Sequence, residues 1–426
     1  MKHAKFFQHL LILVLLTGLV SCRDEIFEER TLNVPVYLTY EEFRISVVQE
    51  DARELEHPGK IYFKDNYIFI NEISKGIHII NNSDPSNPEN VGFIYIPGNV
   101  DIAIKENILY ADSYIDLVAL DLSDLSNIEL KHRIKNVFPY TLPETGNNYG
   151  FDEVSEDEGV VVEWEVKRVK REVDYYPIYP FFRNFEMMDS GFNKMSGGIG
   201  GGGSGTTYGV GGSMARFMLY ADILYTIDEN DMHFFDISNA ENPLENGSIR
   251  IGWGIETLFP YGDKLFIGTQ TGMLIYDLVN PLAPRKISEY RHITSCDPVV
   301  VDGDYAYVTL RAGNLCGGNT SQLDIIDISN LEEPQLMKSY VMEEPYGLGI
   351  NNSMLFVCDG DAGLKIYDAS QPLNVGSKRL ATFSDINAYD VITIGDILFM
   401  IGEDGLAQYD CSDISNIVLL SLIEVK

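Results

Sequence analysis

Leu323–Pro334 reads LDIIDISNLEEP, an apolar run that closes on Asp327 and breaks into a turn of Ser, Asn and Pro. The chain repeats this sentence as IHIINNSDPSNP from Ile77, LVALDLSDLSNI from Leu117, MHFFDISNAENP from Met232, MLIYDLVNPLAP from Met273, LKIYDASQPLNV from Leu364 and LAQYDCSDISNI from Leu406. The markers closing the runs are Asn81, Asp121, Asp236, Asp277, Asp327, Asp368 and Asp410, at gaps of 40, 115, 41, 50, 41 and 42 residues. One such unit cannot bury its own apolar face, whereas stacked copies share a continuous core. Short runs rich in Ile, Val, Tyr and Phe, broken by Gly, Asp and Asn, make the unit β rather than helical.

A unit parses into four strands: Gly347–Ile350, Met354–Val357, Leu364–Tyr367 and Ser377–Phe383. Polar pairs such as Gly262-Asp263 and Gly395-Asp396 separate the first two strands and suit tight hairpins. The marker Asp accepts the backbone N–H two residues on, closing an Asx turn, and the later Pro delays the next strand. The fold class is therefore all-β: a seven-bladed β-propeller of four-stranded blades over 58–426. A large insert at 139–213 separates blades two and three. Turns a–b and c–d lie on one face, and the more varied b–c and d–a connections on the other, where binding residues are expected.

The sentence I/L-x-I-I/Y-D-x-S-x-x-x-x-P resembles the LVIVD repeat, a propeller-forming motif of bacterial surface and secreted proteins. The resemblance spans Pro58–Lys426 outside the insert and implies architecture without a shared activity. Asn81, Ile128 and Ile417 depart from it.

Residues 1–21 read as a lipoprotein signal peptide: Lys2 and Lys5 precede the apolar Leu10–Val20, too short to span a bilayer as a helix. Leu19-Val20-Ser21-Cys22 resembles the bacterial lipobox, which implies lipidation of Cys22 and attachment to a membrane. The following Arg23-Asp24-Glu25, with Glu28 and Glu29, resembles a surface-export tag of Gram-negative lipoproteins. The expected location is the outer membrane, facing the exterior. Residues 22–57 read as a tether and N-terminal segment, in which Val34–Thr39 suits an edge strand and Tyr40–Arg44 a helical turn. The formal net charge of −33 disfavours nucleic acid and anionic lipid as partners.

The insert holds an acidic stretch at Asp152–Glu158, then Gly159–Val173, which alternates like a long strand. An aromatic cluster follows (Tyr175, Tyr176, Tyr179, Phe181, Phe182 and Phe185), then the Gly-rich tract Gly197–Gly212, which reads as a loop. The aromatics pack the insert onto the ring or form a platform for a sugar, peptide or protein.

Cys296 and Cys316 fall at one end of the same hairpin and are expected to form a disulfide. Cys358 belongs to the b–c face and Cys411 to the other, so both should be free thiols. No HExxH, Cys-x-x-Cys or Gly-x-Ser-x-Gly motif occurs, so no metal site and no catalytic residue is assigned. Asp359-Gly360-Asp361 reads as a turn. A candidate ligand site at the channel mouth gathers His57, Asp101, Glu256, Asp297, Tyr346 and Asp390, with calcium its weak cofactor candidate. The resulting expectation is a surface binding or scaffold protein for a protein or glycan ligand. The competing class is a polymer-acting hydrolase or lyase using the mouth carboxylates.

Overall fold

The computed structural model describes residues 27–426 apart from 144, 146, 173–209, 212, 292–297, 313–319, 385 and 415. Cys22, the Cys296–Cys316 pair, Asp297, the aromatic cluster and all of the Gly-rich tract except Val210–Gly211 lie outside the described residues. The chain divides into two compact units. The first comprises the described parts of Met1–Tyr37, Leu142–Asp157 and Val161–Met187; the second comprises Leu38–Thr141, Glu158–Val160 and Met188–Lys426.

The second unit carries, among its described residues, seven antiparallel meanders of four strands. Sheet one runs Pro58–Lys64, Tyr67–Glu72, Gly76–Asn81 and Glu89–Tyr95; sheet two starts at Ile102 and ends at Ile134. Sheets three to seven span Phe217–Arg250, Ile255–Arg291, Val299–Val341, Leu348–Phe383 and Ala388–Glu424. The strand parse of 347–383 holds, except that a 3-10 turn, Pro372–Ser377, postpones the fourth strand to Arg379–Phe383.

All seven markers make the expected turn. The N–H groups of Ser83, Ser123, Ser238, Val279, Ser329, Ser370 and Ser412 reach Asn81, Asp121, Asp236, Asp277, Asp327, Asp368 and Asp410 at 2.8–3.1 Å. These bonds hold the six Asp carboxyls below their ordinary range: Ser hydroxyls contribute most at five, and the Val279 N–H at Asp277.

Two further regularities accompany the turn. In every sheet the third-to-fourth strand pairing slips by one residue just before the marker, so each outer strand carries a bulge. Bulges of this kind twist an exposed edge away from further pairing. The turn also presents a carbonyl to the preceding sheet. Tyr110 Oη donates to Ala240 O at 2.9 Å, Tyr225 Oη to Pro281 O at 2.5 Å, Ser288 Oγ to Leu331 O at 2.5 Å and Tyr340 Oη to Leu373 O at 2.6 Å.

Sheet seven clasps sheet one in the same way, Ser421 Oγ donating to Pro85 O at 2.7 Å. Gln408 Nε2 adds a bond to Asn82 Oδ1 at 2.7 Å, and Leu55 bridges Val425 in parallel. First strands of successive sheets touch, and the first strand of sheet one also meets the second strand of sheet seven. Ile61, Ile68, Ile70 and Ile80 share one apolar cluster with Ile392, Phe399, Ile401 and Leu406. The two ends of the repeat array thus bury each other's apolar faces, which a solenoid with free ends would not do.

Val48–Glu50 adds an outer strand to sheet one, and the expected helical turn is present as Tyr40–Ile45 with a Thr39–Glu42 capping box. In the first unit, Phe27–Leu38 is the middle strand of a three-stranded sheet between Gly150–Phe151 and Val160–Glu172. The N-terminal segment and the start of the insert therefore pair with each other. Asn33 and Asn147 exchange amide hydrogen bonds at 3.0 and 3.1 Å.

Candidate functional site

Strand register sets Lys60, Asp101, Arg216, Thr257, Pro298, Gly347 and Asp390 at one depth, where the first strand of each sheet begins. Four of these positions are charged. Lys60 Nζ lies 2.7 Å from Asp101 Oδ2, both side chains being buried. The same Oδ2 accepts the N–H groups of Arg216 and Phe217, at 2.5 and 3.2 Å, while Oδ1 accepts that of Ile102 at 2.8 Å. Behind it, Asp112 accepts from Val100 N and Asp101 N, at 2.8 and 2.9 Å. Burial pushes Asp112 up to about 6 despite those bonds, and burial pulls Lys60 down against the attraction of Asp101.

Asp390 differs from its neighbours. It is fully buried, and among the described residues neither carboxyl oxygen has a partner at hydrogen-bonding geometry. A Cβ on Gly347 would stand 2.3 Å from its Oδ1, so the carboxyl fills the place of the side chain that sheet six lacks at this depth. Burial raises its pKa well above the ordinary value, and the Val391 N–H and the charge of Lys60 offset only part of that rise.

The expected mouth group is thus partly assembled. Asp101 and Asp390 share this cluster, whereas His57 is exposed and donates its backbone N–H to Glu72 Oε1 at 2.6 Å. Glu256 and Tyr346 fall one residue ahead of the shared depth, which Thr257 and Gly347 occupy. Tyr346 instead donates to Glu344 Oε1 at 3.0 Å, beneath the Arg311 guanidinium at 3.9 Å and beside the Tyr389 ring at 5.2 Å. Burial pushes its hydroxyl up to about 12. Lys60 and Arg216 escaped a search of the residues ahead of each strand. Aligning the sequence on the fifth residue of each second strand would have found them.

The chain's own backbone also reaches the first strands of several sheets. Val210 and Gly211 pair with Phe63 and Tyr62 on the free edge of the first strand of sheet one. Buried Ser213 accepts the Leu348 N–H of sheet six at 3.3 Å, and Ala215 O accepts that of Leu258 in sheet four at 2.9 Å. Ser213, the expected end of the insert, is therefore buried against sheet six. Among the described residues no three His, Cys, Asp or Glu side chains converge as a metal site.

Other charged groups at this end are staples. Glu72 and Asp228 hold His78 and His233 at 2.9 Å each, and Asp359 holds Lys365. Burial pushes Glu72 and Asp228 up, but the His rings and backbone N–H groups more than offset it, leaving both carboxyls lowered. Asp359 caps the N–H groups of Glu343 and Glu344, so its turn is a buried brace. Cys358 and Cys411 are both buried free thiols; Cys358 ends a strand instead of lying in the loop beyond it. Burial raises both thiols, which makes them poor nucleophiles.

The connection from sheet three to sheet four, Ile251-Gly252-Trp253-Gly254, packs its backbone on Asn230 and hands Gly254 O to Gln270 N at 2.8 Å. Those partners lie in b–c turns, which places the d–a and b–c segments at one end of the sheets. Trp253 is 63% exposed there, a large aromatic surface left in water.

The LVIVD repeat model matches residues 59–94, 98–136 and 295–342. The chain is 24% identical over 414 residues to an uncharacterised protein of Archaeoglobus fulgidus, covering 89% of this chain and 58% of that relative's length. Among solved structures it is similar to Saccharomyces cerevisiae Sqt1, with 8% identity, coverage of 90% and 87%, and a TM-score of 0.49. It is also similar to BamB from Moraxella catarrhalis, with 7% identity, coverage of 90% and 97%, and a TM-score of 0.46. The chain thus carries LVIVD repeats over those three segments, and the secondary structure of its described residues is almost entirely β, in repeated four-stranded antiparallel sheets.

Proposed function

We propose that this protein is a seven-bladed propeller, lipid-anchored through Cys22 at the outer membrane and facing the exterior, that binds a protein or glycan through its b–c and d–a end. The observation that carries the reading is the contrast between the two ends. One end spends its polar groups on seven copies of the same turn, while the other carries unrepeated features, foremost the exposed Trp253 between two glycines. Exposed Trp is the side chain that most often anchors an interface. Catalysis by the mouth carboxylates is the weaker reading, since Asp101 has both oxygens engaged and Asp390 is sealed in. Calcium would need ligands that Lys60 opposes by charge.

The test is capture from the native envelope with the intact protein and with Trp253→Ala. A partner retained by the first and lost at least tenfold by the second, at unchanged melting temperature, supports the reading. Equal capture by both, or by neither, defeats it.

A further inference from the structure

We propose that two copies of this chain pair antiparallel along the outer edge of strand Val160–Glu172, about a two-fold axis at Val166. The strand ends the sheet order of the first unit, beyond Phe27–Leu38, and among the described residues no other strand pairs with its outer side. At 13 residues it is about twice the usual strand length. A long edge presents a row of backbone N–H and C=O groups that can take up a further strand.

The order of its charges names the occupant. The strand reads Val-Val-Val-Glu-Trp-Glu-Val-Lys-Arg-Val-Lys-Arg-Glu, with acids at 163 and 165 ahead of bases at 167, 168, 170 and 171. A two-fold at Val166 sets Glu165 of each copy against Lys167 of the other. On the opposite face Trp164 meets Arg168 twice, and Val166 meets its own copy. Glu163 then faces Val169 and Val162 faces Lys170, so no like charges stand opposite. Centres one or two residues away fail. Those at 165, 167 and 168 oppose a charge to itself, and that at 164 sets Glu163 against Glu165. Parallel pairing in register opposes every charge to itself. Like charges directly opposite destabilise a strand pair, whereas opposite charges and cation–aromatic contacts stabilise it. Charge usually keeps an edge strand from pairing; here it blocks all of these registers but one.

The side chains that would meet are accessible. Glu165, Val166, Lys167 and Arg168 are exposed, Val166 by 50%. Trp164 is fixed in place, its Nε1 donating to Pro143 O at 2.6 Å and its ring lying edge-on to Phe151 at 4.8 Å. Glu165 and Lys167 already touch along the strand, which holds both charges on one face. Repulsion between two copies of net charge −33 is screened beyond about 8 Å at physiological ionic strength, so the local order of charges decides.

Sedimentation equilibrium of the full-length protein in mild detergent tests the pairing. The wild type is expected to be a dimer. Glu165→Lys places two lysines against two, and Lys167→Glu two glutamates against two, so each raises the Kd about tenfold or more. The double variant Glu165→Lys/Lys167→Glu restores association, and a mixture of the two single variants associates where neither does alone. All forms share one N-terminus, so residence in a common micelle cannot separate them. A wild type that stays monomeric overturns the proposal. So does a dimer unmoved by Glu165→Lys, or one weakened by it that the double variant fails to restore.

Discussion

Burial shifts the Asp390 carboxyl toward its protonated form, because the Val391 N–H and the charge of Lys60 replace only part of the water lost by the charged form. The sign of its pH effect follows. The folded pKa stands above the unfolded value of about 3.9, so folding takes up a proton. Stability from this group is intact below that unfolded value and declines as pH rises through the raised folded one. Asp112, pushed up to about 6, acts in the same direction. The expected result for Asp390→Asn is a urea midpoint that gains on the wild type progressively from pH 4 to pH 8. A constant difference across that range would mean that the carboxyl is solvated or paired. The type of this residue was legible in the sequence, but its isolation was not. That depends on Gly347 in another sheet leaving room for it.

At the scale of the repeated element, the turns of sheets one to six each serve two ends. The marker closes its own Asx turn, and a carbonyl a few residues later receives a hydroxyl or amide from the sheet before. Deleting one clasp should cost about 1 kcal/mol, the net worth of a buried hydrogen bond. Tyr225→Phe keeps the packed ring and removes only the bond to Pro281 O. A urea midpoint lowered by that amount, with an unchanged slope, is the expected measurement; no change would assign the clasp no energy.

The Asx turns could be read from sequence because their geometry is local: side chain and N–H are two residues apart. The clasps and bulges could not. Tyr110, Tyr225 and Tyr340 look like ordinary strand tyrosines until the neighbouring turn is in place, and a bulge such as that between Ile325 and Ile326 leaves the period of apolar residues intact. Gly159–Val173 was legible as a long strand, but its partner was not. Phe27–Leu38 is remote in sequence and has no motif that names it.

At the scale of the molecule, the repeat array is held by the meeting of its ends and by the segment Val210–Ala215 lodged among first strands. Both are long-range, so neither showed in the periodicity that revealed the sheets. An insert deletion ending at Ser213 removes buried structure, not merely a loop. The central claim is that sheet seven packs on sheet one as every other sheet packs on its successor. Leu55 and Val425 are bridge partners there, and bridged strands lie about 5 Å apart, within the reach of a disulfide. Mild oxidation of the Leu55→Cys/Val425→Cys variant tests the claim most directly, with the linked peptide read by mass spectrometry. A near-complete 55–425 crosslink in the folded protein, with a raised urea midpoint, is the result the account requires. Both thiols free and reactive in the folded protein would show an open array and contradict it.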